Sequence, residues 1–159
     1  MAHNLNAIVT SFNYDGELPH VVLVGNFHLI AVNKRYGINY SEKAIEPFHK
    51  LTSKTRKQLK ELSFQGKCIY FETHYFGGQG HQIAEVWHNG KRITDPLISF
   101  DGKSPTIFSG ALHVDHAINE ALKLIGIYKH EGKDEFDSVR LGEYRSNSDI
   151  VEEFEFSKK

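Results

Sequence analysis

The chain has 159 residues, 40% of them apolar and 25% charged, with a net charge of −1 and one cysteine. Those values suit one globular domain with its own core and exclude a largely disordered chain. The lone Cys68 can form no internal disulfide and no zinc site by itself, which excludes a disulfide scaffold. No apolar run approaches the roughly 18 residues of a membrane helix. Met1-Ala-His-Asn4 lacks the basic flank and apolar stretch of a secretory leader. A cytoplasmic protein without membrane contact is therefore expected.

Residues 6–12 carry Ile8, Val9 and Thr10 and predict a first strand, closed by the turn signal Tyr14-Asp15-Gly16. Residues 20–25 hold Val21, Leu23 and Val24 in a continuous apolar run, the pattern of a strand buried on both faces. Gly25-Asn26 marks a turn, and residues 27–33 the next strand, so the N-terminal third reads as an antiparallel meander. Ser41 suits the N-cap of a short helix with Glu42 in its first turn. Pro47 either sits near a helix start or breaks it.

A clearer helix is capped by Thr52 or Ser53 and runs to about Phe64. Leu59 and Leu62 face inward, Lys54, Arg56, Lys57 and Lys60 face water, and Gly66 is the stop signal. Residues 67–75 form a strand rich in Ile69, Tyr70, Phe71 and Tyr75. Residues 76–80, Phe-Gly-Gly-Gln-Gly, read as a loop, and residues 81–88 return as a strand. Asn89-Gly90 is the strongest hairpin signal in the chain. Residues 91–94 continue beyond it, Asp95-Pro96 turns the chain, and residues 101–105 read as loop. Val114, Ala117, Ile118, Ala121, Leu122 and Ile125 recur at helical spacing, and Gly126 ends the pattern. Asp134 opens a short turn or helix, and Ser148-Asp149 caps a last helix with Ile150, Val151 and Phe154. Strands and helices do not alternate regularly. The expected fold is α+β: a mainly antiparallel sheet with helices packed on one face, in a single domain.

The chemistry-bearing residues give several options. His74, His81 and His88 recur every seven residues around the glycine segment. His113 and His116 flank Asp115 at the expected helix start, where i,i+3 spacing points both rings one way. A zinc site needs further ligands that no spacing supplies, so surface or packed histidines are expected and no metal. Gly77-Gly78-Gln79-Gly80 lacks the Lys-Ser/Thr and following helix of a phosphate loop, and the strand after it excludes a Rossmann fingerprint. Cys68 lies in a strand, a poor setting for an activated thiolate. Glu72 and Glu85 can face each other across the hairpin as a carboxylate pair. Ser109-Gly110 lacks the nucleophile-elbow pattern. No catalytic residue and no cofactor is expected from these motifs.

Charge is unevenly spread. Residues 34–67 hold nine Lys/Arg and three Glu; residues 131–159 hold nine Asp/Glu and five Lys/Arg. The basic helix lacks interleaved aromatics, so direct nucleic-acid binding is not expected. The acidic segment suits a protein partner with a basic cleft, approached by electrostatic steering.

Tyr75-Phe-Gly-Gly-Gln-Gly-His-Gln82, Ala84-Glu-Val-Trp87 and Asn89-Gly90 resemble a small bacterial family. Ile118-Asn-Glu-Ala-Leu-Lys-Leu-Ile-Gly126, Asp134-Glu-Phe-Asp137 and Leu141-Gly-Glu-Tyr-Arg-Ser146 are similar to it too. The resemblance spans roughly residues 70–149 and points to the immunity proteins of polymorphic toxins, including contact-dependent growth inhibition systems. It implies a non-enzymatic protein that binds a cognate toxin domain, a nuclease acting in the cytosol, and neutralises it stoichiometrically. Two surfaces are candidates for the partner: Tyr75, Phe76, Gln79 and His81 at the glycine segment, and Asp134, Glu135, Asp137, Glu143, Tyr144, Asp149 and Glu152 in the acidic segment. The alternatives are a small hydrolase or nuclease using a histidine of residues 74–88 with Glu72 or Glu85, and an adaptor subunit without a toxin.

Overall fold

The computed structural model describes residues 3–32, 44–102 and 107–158. The helix expected at Ser41 and residues 103–105 of the expected loop lie outside them. The strands are β1 (His3–Thr10), β2 (His20–Val22), β3 (His28–Ala31), β4 (Cys68–Phe76), β5 (Gln79–His88), β6 (Lys91–Arg92), β7 (Leu97–Asp101) and β8 (Leu112–His113). The helices are α1 (Ser53–Leu62), α2 (Ala117–Leu124), α3 (Glu135–Ser138) and α4 (Asn147–Ser157), with a 3-10 turn at Leu141–Glu143. The described strands form one sheet in the order β2-β3-β1-β4-β5-β7-β8, with β6 paired to β5. Every pairing is antiparallel except β7 with β8.

β1 lies in the sheet interior, hydrogen-bonded to β3 and, along its own whole length, to β4. Its alternation sends Leu5, Ala7 and Val9 to one face and Ile8 to the other. The first face is covered by α2, which packs on β5 and β7, and by α4, which packs on β1, β2 and β3. Ile118, Ala121 and Leu122 of α2 and Ile150 of α4 complete its core with Phe71 and Val86. α3 packs on α2 at the same side. Among the described residues most helices thus lie on one face, and α1 is the exception: Leu59 packs on the opposite face with Cys68, Tyr70, Ile83 and Trp87. Among the described residues no helix is long and apolar enough to cross a membrane.

Local signals explain the elements. Thr52 caps α1 by accepting from the Thr55 amide at 3.2 Å. Asn89 and Gly90 both adopt positive φ in the two-residue turn between β5 and β6. Ser146 and Asp149 form a capping box at the start of α4, two residues ahead of the expected cap at Ser148. Asn147 ties that helix to the sheet, donating to Val32 O at 2.6 Å and Asn6 Oδ1 at 3.0 Å.

Four expectations are corrected. β2 is an edge strand rather than one buried on both faces: Val21 and Leu23 are buried, while Val22 is 59% and Val24 40% exposed. The glycine loop is only two residues long, because Phe76 and Gln79 pair directly and Gln79 and Gly80 belong to β5. The segment after Asp95-Pro96 returns as β7, filling the sheet position beside β5. α2 begins at Ala117, so His113 lies in β8 and His116 is the N-cap, and the two rings do not share a helical face.

Candidate binding cleft at the hairpin end

α1 covers only part of its sheet face. Toward the β4–β5 turn the same face opens into a cleft of about 440 Å³ lined by Asn4, His49, Lys50, Glu72, Thr73, His74 and His81. Strand alternation explains the floor. Tyr70, Glu72, His74 and Phe76 point to this side of β4, and Gln79, His81, Ile83 and Glu85 to this side of β5. His74 and His81 are directly paired across the hairpin, with ring centroids 5.8 Å apart. His49 arrives from the segment before α1 and stacks on His81 at 4.7 Å. His81 also packs against Phe100 of β7, which stacks in turn on His113.

Glu72 holds that segment in place. Its buried carboxylate accepts from the His49 amide at 2.9 Å, from the Lys50 amide at 3.0 and 3.2 Å, and from the Tyr70 hydroxyl at 2.8 Å. Burial first, and the Glu72 charge second, push the Tyr70 phenol well above its ordinary range, so it remains a donor. Lys50 reaches across the cleft and donates to Asn4 Oδ1 at 2.9 Å.

Glu85 is not opposite Glu72. Its register partner is Tyr70 and that of Glu72 is Ile83, so the two acids are diagonal on the sheet face rather than directly paired. Glu85 is fully buried and accepts from Arg56 at 2.7 and 3.2 Å and from Trp87 Nε1 at 3.0 Å. Arg56, expected on the wet side of α1, therefore turns toward the sheet to neutralise a buried charge. Cys68 is buried under α1 with its thiol near Leu59 O, and burial, then Glu85, push its pKa up to about 12. No thiolate forms there at neutral pH.

The predicted partner residues at this end divide between the two sheet faces. Phe76, Gln79 and His81 lie on the cleft side. Phe76 is 77% exposed beside the turn, Gln79 is exposed opposite it, and His81 is buried in the cleft floor. Gly77 and Gly78 both hold positive φ, as this tight turn requires. Tyr75 points to the other face and donates to Asp101 at 2.5 Å across the intervening Gly80. A Cβ at Gly80 would meet the His74 carbonyl and the Tyr75 ring, so the glycine makes room for that tyrosine. Burial and the Asp101 hydrogen bond raise the Tyr75 pKa.

The acidic segment is largely engaged with itself. Asp134 caps α3 through the Asp137 amide at 2.9 Å and accepts from Asn119 at 3.1 Å. Glu135 is buried, 3.7 Å from Lys123. Glu143 pairs with Arg140 at 2.6 Å. Tyr144 is buried and donates to Glu153 at 2.6 Å. Asp149 accepts from the Arg145 and Ser146 amides at 2.8 and 3.3 Å. Asp137 and Glu152 are exposed.

Sequence reasoning missed Asn4, His49 and Lys50 as cleft residues. One signal pointed toward them: Glu72 lies between Phe71 and Thr73 in a strand of the sheet interior, and a buried carboxylate there demands donors from elsewhere. Among the described residues no group of three or more His, Cys, Asp or Glu side chains is arranged to hold a metal ion. Comparison of the chain with family models finds no match, and searches of curated proteins and of solved structures return no significant similarity.

Proposed function

We propose that this chain is an immunity protein that binds a cognate bacterial toxin domain, a cytosol-acting nuclease, and neutralises it stoichiometrically through the hairpin end. The observation that carries the reading is Phe76, a large aromatic side chain 77% exposed on a tight turn, beside a polar cleft on the same sheet face. Most of that side chain stays in water, and an exposed aromatic beside a tight turn is the kind of anchor protein interfaces use. The resemblance of residues 70–149 to immunity proteins supports the same reading. So does the bonding of Glu72 and Glu85. Both carboxylates are engaged by donors that fix the fold, which suits a structural role better than proton transfer. The decisive experiment is co-purification of the tagged protein with the product of the gene immediately upstream, followed by calorimetry of the pair. One-to-one binding with loss of the partner's toxicity, both abolished by Phe76→Asp, is the expected result. Binding that is indifferent to Phe76→Asp removes the hairpin from the interface, and no binding removes that partner.

A second reading, a small hydrolase or nuclease, is favoured by one observation: His74 and His81 face each other 5.8 Å apart in a cleft that also holds Glu72. RNA or ester turnover by the purified protein, lost in His74→Gln, supports it. A protein without turnover that still neutralises the toxin disposes of it.

A further inference from the structure

We infer that Asn89-Gly90 is a site of spontaneous covalent modification, through a succinimide, and that Ser63 at the end of α1 is the group that holds it closed.

The chemistry starts from the residue pair. The backbone nitrogen of Gly90, once its proton is lost to water, attacks the side-chain carbonyl carbon of Asn89. The new N–Cγ bond closes a succinimide ring, and the Cγ–Nδ2 bond breaks to release ammonia. Water then opens the ring at either carbonyl and leaves aspartate or its β-linked isomer. No oxidant, reductant or cofactor takes part. A glycine after the asparagine favours the step, because no Cβ hinders the attacking nitrogen. Asn89 is exposed in the turn between β5 and β6, so water reaches its amide.

The fold sets a lock on this pair. The Gly90 N–H donates to Ser63 Oγ at 2.8 Å, and the Ser63 hydroxyl donates in turn to Lys60 O at 2.6 Å. The proton that must leave is therefore held against a neutral hydroxyl, which is no base. The Asn89 N–H donates to Ser63 O at 2.9 Å. One fully buried residue, the C-cap of α1, thus pins both peptide N–H groups of the turn. Asn89 and Gly90 sit at φ 52° and 77°, between the paired His88 and Lys91. The Phe64 ring lies over the glycine: a Cβ there would stand 2.5 Å from Phe64 Cζ. Ring closure needs the Gly90 nitrogen to turn from Ser63 toward the Asn89 side chain. That movement breaks the Ser63 bond, so the reaction waits on a local opening of the turn.

The product does not fit back. The β-linked isomer adds a backbone carbon to a turn whose geometry depends on two residues at positive φ. The end of α1 then loses its anchorage on the β5–β6 turn.

The test follows the full chain at neutral pH over weeks. Tryptic digests are read by mass spectrometry for conversion of amide to acid in residues 68–91, where Asn89 is the only asparagine. The β-linked product is counted by isoaspartyl methyltransferase labelling. The folded chain is expected to react more slowly than the same chain in denaturant. Ser63→Ala is expected to react about tenfold faster than the folded wild type, the factor that one ordinary hydrogen bond is worth. Hydrogen exchange of the Gly90 amide, read by NMR, should accelerate with it. Asp134→Ala, which weakens the distant α3 cap, should keep the wild-type rate. Equal rates in the folded and denatured chains, or a Ser63→Ala rate no faster than wild type, overturns the lock. Equal acceleration by Asp134→Ala also overturns it, since the route is then global unfolding.

Discussion

The hairpin end and the acidic C-terminal segment look equally suited to a partner in the sequence, and the fold treats them differently. In the C-terminal segment Asp134 and Asp149 cap helices, Glu135 is buried, and Glu143 and Glu153 bind Arg140 and Tyr144. At the hairpin end Phe76 and Gln79 are exposed, and three imidazoles and a lysine face an open cleft. A run of like charges therefore says little about availability. Short helices leave amide donors at their starts, and nearby acids are drawn into satisfying them.

Four measurements test this contrast. The largest effect is expected inside the hairpin end. Glu72→Ala strands the His49 and Lys50 amides and the Tyr70 hydroxyl. Buried donors left without partners cost about 1–3 kcal/mol each, so a loss of about 3 kcal/mol is expected for this partly buried set. Urea unfolding reads it directly, and a loss below about 1 kcal/mol means that the clamp contributes little.

Asp134→Ala comes next. It removes the α3 cap and an acceptor of Asn119, and is expected to cost about 1 kcal/mol while leaving partner binding unchanged. A variant that keeps full stability but loses partner binding would return the acidic segment to the interface.

A gentler effect follows from pH. Burial holds the imidazoles of His3 and His28 below the ordinary value of 6.5. The unfolded chain therefore takes up these protons before the folded one does. Stability from this source is intact above about pH 6.5 and falls as the pH drops below it toward the folded-state values. Urea midpoints measured from pH 7.5 down to pH 5 should decline, and a variant carrying His3→Gln and His28→Gln should show a shallower slope. Equal slopes in the two proteins refute the attribution.

The smallest stability effect belongs to the residue with the largest proposed role. Phe76→Ser changes an exposed side chain that the core does not use, so unfolding should move by less than about 0.5 kcal/mol. Partner affinity should fall by about tenfold or more if the ring is an interface anchor. A large stability loss would show that the ring serves the fold instead.

Much of the local structure was legible in advance. Asn89-Gly90 specified its turn because few residue pairs tolerate two positive φ angles. Thr52 and the Leu59 repeat specified α1, and the Ile118–Leu122 periodicity specified α2, because caps and helical spacing act within a few residues of chain. The apolar run at residues 20–25 misled, since it has the composition of a central strand but folds at the sheet edge. β7 was missed because Asp95-Pro96 before it and the loop-like residues after Asp101 masked five strand positions.

Local sequence specifies the α+β class, the antiparallel habit of the sheet, and the turns and helices whose causes lie within one or two turns of chain. Which charges are occupied and which face a cleft depends on the folded arrangement. His49 and His81 are 32 positions apart in the chain and touch because Glu72, on a neighbouring strand, binds the backbone beside His49. That choice depends on strand order and on the satisfaction of a buried carboxylate, and both are long-range conditions that no local pattern encodes.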